Sequence, residues 1–108
     1  MANYFFGFYG SIWPETPEEQ QKVTGEWSKW FEQLGDKVKE PGAPTTTGKI
    51  VSKDGVNDIS ENPLKGYTVI KADNLDTAVR LAEQCPGIRD GGQIAIYELV
   101  PMGVSQDH

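Results

Sequence analysis

Tyr67 and Tyr97 each join an apolar ring to one polar tip, the side-chain type that orients a small ligand against a packed surface. A tyrosine in the core or in a dimer contact reads equally well. Glu98 and Lys71 interrupt apolar strand sequences, and a carboxylate or amine held against apolar surface has its proton affinity moved toward a useful range. Both fall toward strand ends, where such side chains reach water, so solvation is the favoured reading. Between Ser52 and Gly66 runs a polar stretch with Asp54, Asn57, Asp58, Glu61 and Lys65, residue types that favour turns for backbone reasons. From this set the candidate ligand-binding residues are Tyr67, Tyr97, Asp54, Glu61 and Lys65. None is assigned a catalytic role.

Most recognised site chemistries are excluded by composition. The chain has one histidine, His108 at its end, and one cysteine, Cys85, so it holds no zinc ligand set, no Ser/His/Asp triad and no Cys/His pair. No metal site is expected. Gly7 and Gly10 precede a helical segment, but no phosphate-cradling glycine motif follows a strand, and no cofactor is implied. Cys85 falls at a helix C-terminus, where the dipole disfavours a thiolate, and reads as inert packing.

Charge and length narrow the partners. With ten Lys and Arg against sixteen Asp and Glu, the chain of 108 residues has a net charge of -6 and lacks the basic footprint of a nucleic-acid binder. One domain, spanning 1–108, is expected at this size. A lone cysteine cannot close an intramolecular disulfide, which suits a reducing, cytoplasmic setting. Met1 to Pro14 carries no charged side chain, lacks a basic leader and falls short of the roughly 20 apolar residues of a membrane span. It reads as a buried first strand, with no membrane partner.

The elements that must position these residues follow from pattern. Asn3 to Tyr9 is aromatic-rich and predicts a strand. Thr16, Pro17 and Glu19 form a capping box, and the helix it opens carries Val23, Trp27, Trp30, Phe31 and Leu34 on an arc about 100° wide, a face that a sheet must cover. Pro41-Gly42-Ala43-Pro44 reads as a breaker, Thr45 to Val51 as the second strand, and Ser52 to Gly66 as a long polar loop. Tyr67 to Ala72 predicts a third strand, Asn74 caps a second helix that Cys85-Pro86-Gly87 stops, and Gln93 to Val100 predicts a fourth strand.

Strand, helix, strand, strand, helix, strand is the ferredoxin-like βαββαβ order of the α+β class, with an antiparallel sheet and helices on one face. The strands are apolar at both parities: Tyr4, Phe6 and Phe8 alternate with Phe5 and Tyr9, and Ile94, Ile96 and Val100 with Tyr97 and Leu99. An apolar face without helices is an interaction signature. A homodimer packing two such faces together, a dimeric α/β barrel, is therefore expected.

The run Gly66-Tyr67-Thr68-Val69-Ile70-Lys71-Ala72-Asp73-Asn74-Leu75-Asp76-Thr77-Ala78-Val79, followed by Cys85-Pro86, resembles the YCII-related family, in particular its DGPF-domain branch. Trp27, Trp30 and Gly92 match the same outline. The likeness is specific over residues 62–86 and general over 3–102, and it implies a ferredoxin-like dimer. Where that branch has Asp-Gly-Pro-Phe, this chain has Asp54-Gly55-Val56-Asn57, which keeps only the first half. Some relatives resemble small-molecule enzymes with a His and Asp pair, for which this chain has no interior histidine. Others resemble companions of sigma factors. Two functions remain open: a dimer binding a small molecule between sheet and partner, bordered by Asp54 to Lys65, and a non-catalytic interaction or regulatory module. Glu98 or Glu61 as a general base in a closed apolar cavity is a third.

Overall fold

The computed structural model describes residues 1–10, 14–59, 62–89 and 91–101. Aromatic and β-branched alternation builds strand β1, Ala2–Tyr9, at the centre of a four-stranded antiparallel sheet. Its neighbours are β5, Leu64–Ala72, and β6, Gln93–Leu99, while β2, Val38–Pro44, pairs with the far side of β5. The sheet order is thus β2-β5-β1-β6. Helix α1, Pro17–Leu34, starts where Thr16 accepts the Glu19 backbone N–H at 3.3 Å, with Pro17 in the first turn. Helix α2, Leu75–Glu83, starts where Asn74 accepts the Thr77 N–H at 2.8 Å. Pro86–Arg89 adds the short helix α3.

The second strand of the sheet differs from the sequence expectation. It is not Thr45 to Val51 but Val38–Pro44, which runs straight through the proline-rich segment expected to be a breaker. Proline is tolerated because β2 is an edge strand with two register irregularities, so no ladder hydrogen bond depends on Pro41. Gly42 makes the second of these feasible. Its φ is +73°, and a Cβ there would lie 1.9 Å from the Tyr67 carbonyl oxygen. The fully buried Thr68 hydroxyl donates to the Glu40 carbonyl at 2.8 Å, bridging β2 and β5 where the ladder is interrupted.

The expected 52–66 loop also contains structure. Lys49–Ser52 and Gly55–Asp58 form strands β3 and β4 of a separate hairpin, with Asp54 in its turn and a Lys49–Asp58 ion pair across its open end. Its eight strand residues are all exposed, and β3 and β4 contact chiefly each other.

The helices cover one sheet face. Tyr4, Phe6, Phe8, Ile70 and Ala72 meet Trp30 and Leu34 of α1 and Ala78 and Ala82 of α2 in a single core that includes Cys85. The Trp30 indole N–H donates to the Leu81 carbonyl at 3.0 Å, which ties α1 to α2. Gly87 is buried against Trp27, since a Cβ there would approach the ring to 3.1 Å. The broad apolar arc of α1 is only half covered. Trp30 and Leu34 are buried, whereas Val23, Trp27 and Phe31, one row at spacings of four, are half-buried.

Candidate functional site

Two concave regions lie on opposite sides of the sheet. On the face without helices, the pairing register aligns Tyr67 and Ala95 with Gly7, and Val69 and Tyr97 with Phe5. Directly paired residues share a face, so Tyr67, Phe5 and Tyr97 make a diagonal aromatic row across β5, β1 and β6. Phe5 and Tyr67 stack with centroids 5.8 Å apart and planes 14° from parallel. Phe5, Leu64 and Tyr9 lean over Gly7, where a Cβ would come within 3.0, 3.1 and 3.4 Å of them. At the β6 side of this face lies a shallow hollow of about 720 Å³ lined by Tyr9, Asn62, Gln93, Ile94, Ala95 and Tyr97. Tyr97 is 62 % exposed and Leu99 42 %, so no helix among the described residues shields this end of the face.

On the helix side, a deeper cleft of about 620 Å³ separates the half-covered row of α1 from the bulged edge strand. Phe8, Trp27 and Phe31 give it aromatic surface, Pro41 and Pro44 form the opposite wall, and Lys65 lies at its rim beside Thr45. The Thr45 N–H donates to the Lys65 carbonyl at 2.9 Å and its hydroxyl donates to the Leu64 carbonyl, which fixes that end of the cleft.

The candidate residues therefore separate. Tyr67 and Tyr97 share the open face by register, Lys65 and Tyr67 are also among the residues lining the cleft, and Asp54 is exposed at the hairpin turn, outside both regions. Glu61 lies outside the described residues, as does His108. Lys71 is half-buried on the open face opposite Asn3. Glu98 is exposed on β6 rather than enclosed in an apolar cavity, which removes the setting a general base there would need. It stands opposite Tyr4 on the helix side, and the Tyr4 phenol is held above its ordinary range by burial first, then by the Glu98 charge and hydrogen bond.

Several lining residues carried no functional signal in the sequence. Trp27, Phe31 and Phe8 follow core periodicity, and Pro41 to Pro44 follow breaker chemistry. Asn62 has φ +43°, in the left-handed region that asparagine enters more readily than most residues, so the loop before β5 was a place to look. Among the described residues no group of three or more His, Cys, Asp and Glu is placed to hold a metal ion, and no helix is long and apolar enough to cross a membrane.

Sheet order, antiparallel pairing and one-sided helices define a ferredoxin-like α+β protein. A model of the YCII-related domain matches residues 7–103, and the chain belongs to that family. No curated protein matches it in sequence. Among solved structures it is similar to a 5-chloro-2-hydroxyhydroquinone dehydrochlorinase from Burkholderia phenoliruptrix AC1100, in complex with 2,5-dihydroxybenzoquinone. The likeness has a TM-score of 0.55 at 15% identity and covers 89% of this chain and 93% of the other. At that identity it speaks for the fold.

Proposed function

We propose that this YCII-related protein binds a small molecule between its open sheet face and a second copy of the same chain. The observation that carries the reading is the aromatic row Tyr67, Phe5 and Tyr97, with Leu99 beside it, on a face that no helix among the described residues covers. Apolar surface of this kind marks an interaction site. Where it meets the polar groups of Asn62 and Gln93 lies a shallow, mainly polar hollow whose groups can orient a ligand, and the apolar face of a second copy would supply its cover. Tyr67 and Tyr97 are the ligand-contacting residues in this reading; the Asp54 hairpin would border the site only on assembly with a second copy. The similar dehydrochlorinase is described with 2,5-dihydroxybenzoquinone bound, a small ring compound, which supports the ligand class. The protein works as one domain in a reducing, cytoplasmic setting that suits its buried Cys85.

A second reading, a regulatory module that docks a protein without binding a small molecule, rests on the β3–β4 hairpin. Ile50, Val51 and Val56 are 54 %, 74 % and 62 % exposed there, on a two-stranded element that is marginal by itself in water. A thermal-shift screen of metabolites distinguishes the two. A ligand at a hundredfold excess over its dissociation constant stabilises by about 2.7 kcal/mol, and Tyr67→Phe or Tyr97→Phe reduces that shift. No stabilising ligand for a chain that still self-associates selects the interaction module.

A further inference from the structure

We infer that the cleft between α1 and β2 is a second binding site, separate from the open face, and that it takes an aromatic anion such as an aryl carboxylate or sulfonate. Its volume of about 620 Å³ is within the range of small-molecule sites, about 300–1,000 Å³. The cleft exists for a reason visible in the fold. Val23, Trp27 and Phe31 occupy one row of α1 that the sheet covers only in part, where the irregularities between Val38 and Ala43 take the edge strand out of regular register.

The lining selects the ligand by shape and by charge. Trp27 and Phe31 stand 6.4 Å apart with planes 32° from parallel. Inserting a ring between them would need about 7 Å, two contact distances of about 3.5 Å, so they form one continuous wall rather than two jaws. A flat aromatic body laid against that wall, with Pro41 and Pro44 opposite, fills the space with apolar contact. In a chain with a net charge of -6, Lys65 is the one charged residue lining the cleft among the described residues, and the neighbouring Glu40 carboxylate is engaged by the Gly42 N–H at 3.4 Å. Lys65 is held beside Thr45 at one end by the Thr45 N–H bond to its carbonyl. An anionic head at that end meets the Lys65 ammonium, while a cation would meet like charge. Gly42 keeps the wall in place, since any side chain there strikes the Tyr67 backbone.

The test uses the full chain and 1-anilinonaphthalene-8-sulfonate, an aryl sulfonate, titrated by its own emission and by energy transfer from tryptophan. We expect one saturable site, weakened at least tenfold by Lys65→Glu and retained by Lys65→Arg, with far-UV circular dichroism unchanged in both. Filling the cleft with Val23→Trp abolishes binding, whereas Tyr97→Ser on the opposite face leaves the dissociation constant within twofold. Absence of saturable binding, or a constant that ignores Lys65→Glu and Val23→Trp, overturns the inference. Loss of binding in Tyr97→Ser instead would assign the probe to the open face and also overturn it. Mass by light scattering reads the open-face proposal independently of either result.

Discussion

The two faces of the sheet are built from nearly the same residues, yet they do different work. On the helix side, Tyr4, Phe6 and Phe8 are buried at 1 %, 0 % and 9 % exposure beneath α1 and α2. On the other side, Phe5 and Tyr9 from the same strand remain half-buried among themselves, leaning over Gly7, and Tyr97 stays open to water. One-residue alternation therefore sends half of an aromatic strand into a finished core and half into a surface that is apolar but uncovered. A face of the first kind supplies stability. A face of the second kind is the one proposed to associate, and substitutions on the two sides should be felt in different measurements.

The largest effect is expected on the helix side. Phe6→Ala removes a fully buried ring and should cost about 3–5 kcal/mol in urea unfolding, through lost burial and the cavity left behind. Gly42→Ala should follow at about 2 kcal/mol or more, because the added Cβ meets backbone and the positive φ disfavours any side chain. On the open face, Tyr97→Glu should leave monomer stability within about 0.5 kcal/mol while shifting the proposed pair toward single chains, read by sedimentation. A large loss of unfolding free energy there, with no change in mass, would erase the contrast between the faces.

The smallest expected effect sharpens it at alkaline pH. The Tyr4 phenol is raised above 10.0 in the folded protein, so the unfolded chain loses this proton first. The stability it contributes is present below pH 10 and is lost as pH rises through the folded value. Tyr4→Phe should flatten the alkaline limb of stability against pH, and Glu98→Gln should flatten it in part by removing the nearby negative charge.

The parts of this contrast that sequence could reveal were those set by local rules. Thr16 and Asn74 mark helix starts because a cap needs only its own few residues, and both side chains accept the expected N–H groups. Alternation from Tyr4 to Tyr9 reveals a strand apolar on both sides for the same reason. Strand β2 was hidden, because Pro41-Gly42-Ala43-Pro44 is breaker chemistry anywhere except on an edge, and which strand is an edge depends on the whole sheet. The hairpin at 49–58 was legible in half, since β-branched Thr45 to Val51 reads as a strand and Lys49 to Val51 lie in β3, whereas β4 was hidden because its four exposed residues show no alternation that a core requires. Of the candidate site, the two tyrosines and Lys65 were legible by type. The division of α1 into a covered pair, Trp30 and Leu34, and an open row, Val23, Trp27 and Phe31, depends on where the edge strand bulges, and periodicity alone places all five together.

The proposed pairing of open faces is tested most directly by multi-angle light scattering on the purified chain at micromolar concentration. The account predicts a mass near twice the 11.9 kDa of one chain, falling to one chain with Tyr97→Glu while the circular dichroism stays native. A wild-type mass of 11.9 kDa across that concentration range would contradict it.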